Sequence, residues 1–237
     1  KTLQAPTAPT KVGYTFAGWY KDSACSVGNE FDFTDAAMPA NDLTLYAKWN
    51  AGERTYTVNY YLMGTNGQYA IESVDSNQSA KTGDVLTLSD LAKTAYGDGI
   101  TYDHATVGDS TITTYTIPAS GTVTVNLYYS RAQYDLTWDL AGGYATNIYT
   151  NTGKVYCGAS ITAPVLTKAG YTYVWDVTPA SAMPAANVTY TAVWTANTDT
   201  PYKVEHYQQN ADGTYPATPT ETEDLSGITD ATATADA

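Results

Sequence analysis

The chain has 237 residues, a formal net charge of −13 and a sequence pI of about 4.2; 15% of its residues are charged and 13% aromatic, and Tyr accounts for 22 of the aromatics. Eleven scattered Lys and Arg cannot neutralise a run of phosphates, which excludes a nucleic-acid interface, and the same charge disfavours an anionic membrane surface. Thr, Val and Tyr suit a half-buried pleated surface, so the composition predicts a β protein, and no apolar run approaches the roughly 20 residues of a membrane span.

Two kinds of repeat, A and B, follow one another along the chain. Residues 1–52 form the first A repeat. After Ala5-Pro6 comes Thr10-Lys11-Val12-Gly13-Tyr14-Thr15-Phe16, then Gly18-Trp19-Tyr20, then a closing run from Met38-Pro39 to Trp49. In that run Leu43, Leu45, Ala47 and Trp49 share one face, and Thr44, Tyr46 and Lys48 the other. Such period-two alternation predicts strands with one covered face.

Residues 53–131 form the first B repeat. It opens with Tyr56, Val58 and Tyr60 inward and Tyr61 outward, turns at Asn66-Gly67, and closes with Val123, Val125, Leu127 and Tyr129 against Thr122, Thr124, Asn126 and Tyr128. Asn-Gly between strand-like runs predicts a hairpin. A short helix is expected over Ser89-Asp90-Leu91-Ala92-Lys93, capped by Ser89.

Residues 132–197 repeat A. Leu136, Trp138 and Leu140 face inward, turns fall at Gly142-Gly143 and Asn151-Thr152-Gly153, and Lys168-Ala169-Gly170-Tyr171 returns after Ala163-Pro164. The run from Met183-Pro184 to Trp194 closes the repeat, with Val188, Tyr190, Ala192 and Trp194 on one face. Lys11 corresponds to Lys168, an offset of 157, and Trp49 to Trp194, an offset of 145, so the second copy is shorter by 12 residues. The loss is expected where the first copy carries Asp22 to Phe33.

Residues 198–237 begin a second B repeat at an offset of 146, with Tyr202-Lys203-Val204-Glu205-His206-Tyr207 and an Asp212-Gly213 turn. The first A repeat is expected to lack its opening strands and the last B repeat its second half, as in an excerpt of a longer array. The short Asn50–Glu53 and Thr195–Asp199 junctions predict limited bending between repeats.

Gly13-Tyr14-Thr15-Phe16, Gly18-Trp19-Tyr20 and Leu43-Thr44-Leu45-Tyr46-Ala47-Lys48-Trp49 resemble the Listeria–Bacteroides repeat, also called the internalin B-repeat. The second A copy departs from it, with Val174-Trp175-Asp176 in place of Gly-Trp-Tyr. The B repeats, with Tyr56-Thr57-Val58-Asn59-Tyr60-Tyr61 and Leu127-Tyr128-Tyr129-Ser130-Arg131, are similar to mucin-binding-protein (MucBP-like) repeats. The resemblances imply a mostly β fold with minor α (α+β), made of tandem small β-grasp-like modules in an elongated array. They imply an extracellular place on a bacterial surface or cell wall, and they bring no catalytic residues.

Chemistry is sparse. His206 stands where the other B copy has Tyr60, a packing or surface position, and His104 lies among Asp98, Asp103 and Asp109 without metal-ligand spacing, so it reads as part of a polar loop. Asn210-Ala211-Asp212-Gly213 lacks the later acids of a calcium loop and reads as a turn. Cys25 and Cys157 occupy non-equivalent positions and read as unpaired thiols. Lys154 and Lys168 are candidates for an isopeptide crosslink to an Asn or Asp. No catalytic constellation, cofactor or metal site emerges.

The remaining candidates are outward tyrosines, Tyr61, Tyr128, Tyr207 and Tyr46, which either contact a ligand or pair across strands to stabilise the sheet. Trp49, Trp138 and Trp194 read as core. Two functions follow, neither enzymatic. One is a structural stalk or spacer; the other is an adhesive module for host glycans, mucin or a matrix protein.

Overall fold

A run that alternates apolar and polar side chains buries one face only as a strand in a sheet, and that rule governs nearly all of this chain. The computed structural model describes residues 3–34, 36, 37, 39–94 and 96–232. Met38 of the expected closing run, and residues 1, 2 and 233–237 of the outer repeats, lie outside the described residues. The chain divides into two compact bodies, Lys1–Arg131 and Ala132–Ala237.

In the first body the A repeat supplies β1 (Tyr14–Tyr20) and β2 (Tyr46–Ala51), paired antiparallel. Phe16 faces Trp49 and Gly18 faces Lys48, so Ala17 is a bulge. Residues 21–33 fold back over Tyr20. The Phe31 amide donates to Trp19 O (2.8 Å), the Lys21 amide to Asn29 O (2.9 Å), and the Lys48 ammonium lies 4.7 Å from the Tyr20 ring centre. Tyr20 is consequently buried, although its side chain points away from the face shared by Phe16 and Trp49.

The expected closing face fares less well. Leu43 is 40% exposed and precedes β2, and Trp49 is only partly buried. Alternation selects a face, but burial needs a neighbouring strand, and among the described residues this sheet has two strands.

The B repeat continues with β3 (Glu53–Met63), β4 (Tyr69–Lys81), β5 (Val85–Thr87), β6 (Ile100–Val107), β7 (Ser110–Thr111), β8 (Thr114–Thr116) and β9 (Val123–Arg131). The main sheet runs β4-β3-β9-β6-β7, with β3 and β9 parallel and the other neighbours antiparallel; β5 and β8 form a separate ribbon. Tyr56, Val58 and Tyr60 from β3 and Val123, Val125, Leu127 and Tyr129 from β9 fill the core, as their alternation predicts.

The expected short helix is instead a single 3-10 turn over Leu88–Leu91, preceded by Thr87 with no side-chain cap, and no α-helix occurs among the described residues. Four residues are too few to overcome α-helix nucleation. A three-residue repeat also places Leu88 and Leu91 on the same side, against the sheet, where Leu88 is fully buried.

In the second body the A repeat supplies β10 (Gln133–Asp139), β11 (Tyr144–Ala145), β12 (Gly153–Tyr156), β13 (Leu166–Thr167), β14 (Tyr171–Trp175) and β15 (Val188–Ala196). The sheet runs β12-β10-β15-β14 with β10 and β15 parallel, the same plan as β4-β3-β9-β6. Leu136, Trp138, Ile161, Met183 and Tyr190 form the core, and the Trp138 and Tyr190 rings stack at 5.0 Å. Trp194 is only partly buried.

The shorter A copy did not lose all 12 residues from the stretch of Asp22 to Phe33. Tyr14 faces Ala51 and Phe16 faces Trp49, as Tyr171 faces Ala196 and Tyr173 faces Trp194. Beyond that point Trp175 faces Ala192 as Trp19 faces Ala47, with no bulge between. One missing residue is therefore Ala17, and the rest come from the loop. Asp176 takes the place of Tyr20 and is exposed, accepting hydrogen bonds from the Thr191 and Val177 amides. Loop and buried tyrosine disappear together.

The last B repeat contributes β16 (Thr200–His206) and β17 (Glu221–Gly227), an antiparallel pair.

Candidate functional site

Period-two alternation places Tyr61 and Tyr128 on the outer face of the B sheet, and the parallel β3–β9 register sets them directly opposite each other. Their rings stack at 4.8 Å and 15°. The stack continues onto β6, because a bulge at Asp103 lets His104 face outward opposite Tyr128 while Tyr102 stays inward opposite Tyr129. His104 stacks on Tyr128 at 4.5 Å and 8°. Tyr69 meets the Tyr128 ring edge-on at 5.1 Å, and its hydroxyl donates to Asp103 Oδ2 (3.2 Å), which also lies 2.9 Å from His104 Nδ1.

Beside this aromatic rung runs an amide rung on the same three strands. Asn59 Nδ2 donates to Asn126 Oδ1 (2.9 Å), and Asn126 Nδ2 donates to Thr106 Oγ1 (3.3 Å). Both rungs are half-buried and largely satisfy one another. A sugar or partner side chain stacks on an open ring face, and both faces of Tyr128 are covered, by Tyr61 on one side and His104 on the other.

The other two tyrosines lie elsewhere. Tyr46 sits opposite Tyr20 at the start of β2 and is 39% exposed. Tyr207 follows β16 in the second body and is 42% exposed; its hydroxyl donates to Glu205 Oε2 (2.9 Å), and that carboxylate raises the phenol pKa. The geometry thus joins Tyr61 to Tyr128 and adds Tyr69 from β4, together with His104 and Asp103, which sequence reasoning left in a loop. The missed signal was the phase break in Tyr102-Asp103-His104-Ala105, where inward residues are three apart instead of two.

Other sequence candidates resolve into ordinary structure. His206 Nε2 lies 3.0 Å from Glu223 Oε1 on the neighbouring strand. Asp212 accepts from the Thr214 amide and hydroxyl, and these bonds, the hydroxyl first, hold its pKa below the ordinary value. Lys154 Nζ lies 2.8 Å from Asp135 Oδ2 in an exposed ion pair. Lys168 lies over the Tyr171 ring. Cys25 is half-buried in the first body and Cys157 buried in the second. Among the described residues no three His, Cys, Asp or Glu side chains gather to hold a metal ion, and no helix is long and apolar enough to cross a membrane.

Residues 1–48 match the Listeria-Bacteroides repeat domain. The match covers the first A repeat up to Lys48 and does not reach the B repeats. The chain is 36% identical to internalin H of Listeria monocytogenes over 104 residues, which is 44% of this chain and 18% of that protein. Two proteins of Evansella cellulosilytica, each named as a membrane protein, one of them Gly-rich, are 39% and 34% identical over 74 residues, 31% of this chain and 8% and 10% of theirs. The chain thus spans under a fifth of the length of these relatives. Its similarities are thus to a Listeria-Bacteroides repeat domain over its first 48 residues and to part of internalin H.

Proposed function

We propose that this chain is a repeat segment of a secreted or wall-attached bacterial surface protein and serves as a structural spacer, not as an enzyme. The observation that carries this reading is the shared plan of the A and B sheets: a hairpin, a crossover, and a last strand parallel to the first. That order supports β-grasp-like modules, and the B sequence supports a MucBP-like kind. A chain that alternates two versions of one small sheet is suited to building length.

A second, adhesive reading rests on the aromatic rung, whose edges remain partly accessible at Tyr61 and Tyr128, and on the exposed rings of Tyr207 and Tyr46. Host glycans, mucin or a matrix protein would be its partners. Binding of the whole chain to immobilised mucins, matrix proteins and a glycan array separates the two. The spacer reading expects no saturable binding. Saturable binding that is lost in a folded Tyr61→Ala, Tyr128→Ala variant would replace it with the adhesive one.

A further inference from the structure

The two places where an A repeat passes into a B repeat carry the same arrangement of unlike residues. In the first, the Tyr14 amide donates to Lys11 O (3.0 Å), closing a turn whose third residue, Gly13, has φ +76°. In the second, the Tyr171 amide donates to Lys168 O (3.0 Å) and Gly170 has φ +77°. A turn with positive φ only at its third residue is of type II form, which selects Gly there. The glycine carbonyl then accepts the amide of the residue that leaves the A repeat: Gly52 to Gly13 O, and Asn197 to Gly170 O, both 2.8 Å. The carbonyl of that residue accepts an amide from beyond the second B strand: Thr82 to Gly52 O (3.0 Å), and Thr229 to Asn197 O (2.9 Å).

Side chains repeat the pattern. Lys11 Nζ lies 4.1 Å from the Tyr14 ring centre and 5.9 Å from that of Trp49; Lys168 Nζ lies 4.2 Å from Tyr171 and 5.7 Å from Trp194. The glycines also sit too close to the B repeat for any side chain. A Cβ on Gly13 would fall 2.6 Å from Ala119 O, and one on Gly170 would fall 2.5 Å from Thr229 Oγ1. Thr229 Oγ1 itself donates to Gly170 O (2.7 Å).

Connectivity does not impose this arrangement. One residue, Gly52, separates β2 from β3, whereas residues 197–199 separate β15 from β16, yet the relay of hydrogen bonds is the same. We propose that the Lys-x-Gly-Tyr turn of each A repeat is a docking surface for the B repeat that follows, so that each A–B pair moves as one rigid body. Its partner is the end of the B repeat that offers a backbone amide just past its second strand, with Ala119 of the β8–β9 loop in the first body, or Thr229 in the second, against the glycine. The proposal goes beyond the spacer reading and holds whether or not a ligand binds.

Residual dipolar couplings of the whole chain test it. Couplings from β1 and β2 and those from β3, β6 and β9 should fit one alignment tensor. Gly13→Val should split the fit into two tensors and speed amide exchange at Gly52 and Thr82 by at least about tenfold, as a local opening does. Gly28→Val is the control, because Gly28 has φ +87° but no atom within 4 Å of its Cβ position, so it carries the backbone strain without the contact. Two tensors in the unaltered chain, or one tensor retained in Gly13→Val, would overturn the proposal. Should Gly13→Val fail to fold, the tensor count and the Gly52 and Thr82 exchange rates of the unaltered chain still decide. A ligand found in the binding panel would sink the spacer reading and leave this result standing.

Discussion

Tyr60 shows how one residue couples a core to its charged rim. Its ring is buried in the B core, while its hydroxyl reaches the edge and donates to Asp75 Oδ2 (2.9 Å), with Leu91 O 3.3 Å away. Lys93 Nζ lies 3.7 Å above the same ring and 3.2 Å from Asp75 Oδ1. The Tyr60 bond, then the Lys93 bond, holds the Asp75 carboxyl below its ordinary value of 3.8, while burial and then the Asp75 bond push the Tyr60 phenol above its ordinary 10.0. A lowered carboxyl pKa contributes stability that is present above about pH 4 and lost as pH falls through the folded value. A raised phenol pKa contributes stability that is present below about pH 10 and lost as pH rises toward the folded value. Urea unfolding of the B core between pH 5 and pH 2, about the span in which carboxyls titrate, should therefore show a shallower loss in Asp75→Asn than in the unaltered chain. Above about pH 10, Tyr60→Phe should flatten the alkaline loss. Equal slopes in variant and parent would disprove the coupling. Nothing in the sequence marks this trio, because three different elements supply it and no spacing rule links them.

At the scale of elements, strands that keep strict alternation were legible and those that break it were not. The inward faces of β3, β9 and β10 follow directly from their patterns. The bulges at Ala17 and Asp103 were hidden, since an extra residue shifts the phase and reads as a loop or as a failed repeat. That is why His104 looked like a loop residue and why the second A copy seemed to have lost its Gly-Trp-Tyr step. Its strand shows that the bulge is dispensable, because Trp175 keeps the register of Trp19 without it. Deleting Ala17 should then preserve the β1–β2 pairing at a cost of no more than about 1 kcal/mol. Deleting Thr15 should break the pairing, because a one-residue slip turns Tyr14 to the opposite face. Amide exchange at Ala47 and Trp49, which lie opposite β1, measures both. Fast exchange after loss of Ala17 would mean that the bulge holds the strand in place.

For the whole molecule, self-similarity predicted an alternation of A and B repeats, but not how deeply each side chain is buried. Trp49 and Trp138 both fall on apolar faces, yet Trp138 packs among Leu136, Ile161, Met183 and Tyr190, whereas Trp49 and its counterpart Trp194 are only partly buried. Large apolar side chains also remain on the surface, including Val27 at 93% exposure, Ile148 at 95% and Tyr144 at 74%. A formal charge of −13 opposes association through such patches and through open sheet edges. That repulsion depends on ionised carboxylates, since 24 Asp and Glu outweigh 11 Lys and Arg. It must fade as pH approaches the pI of about 4.2, which lies above the lowered pKa of Asp75, so the Asp75 contribution to the B core is still present there. Light scattering should accordingly show particle growth as pH falls from 7 toward 4.2, with folded-state circular dichroism retained and the growth reversed on return to pH 7. Growth that tracks loss of the folded signal would instead assign the association to unfolded chains, and the charge would then have no role in keeping the folded surface apart.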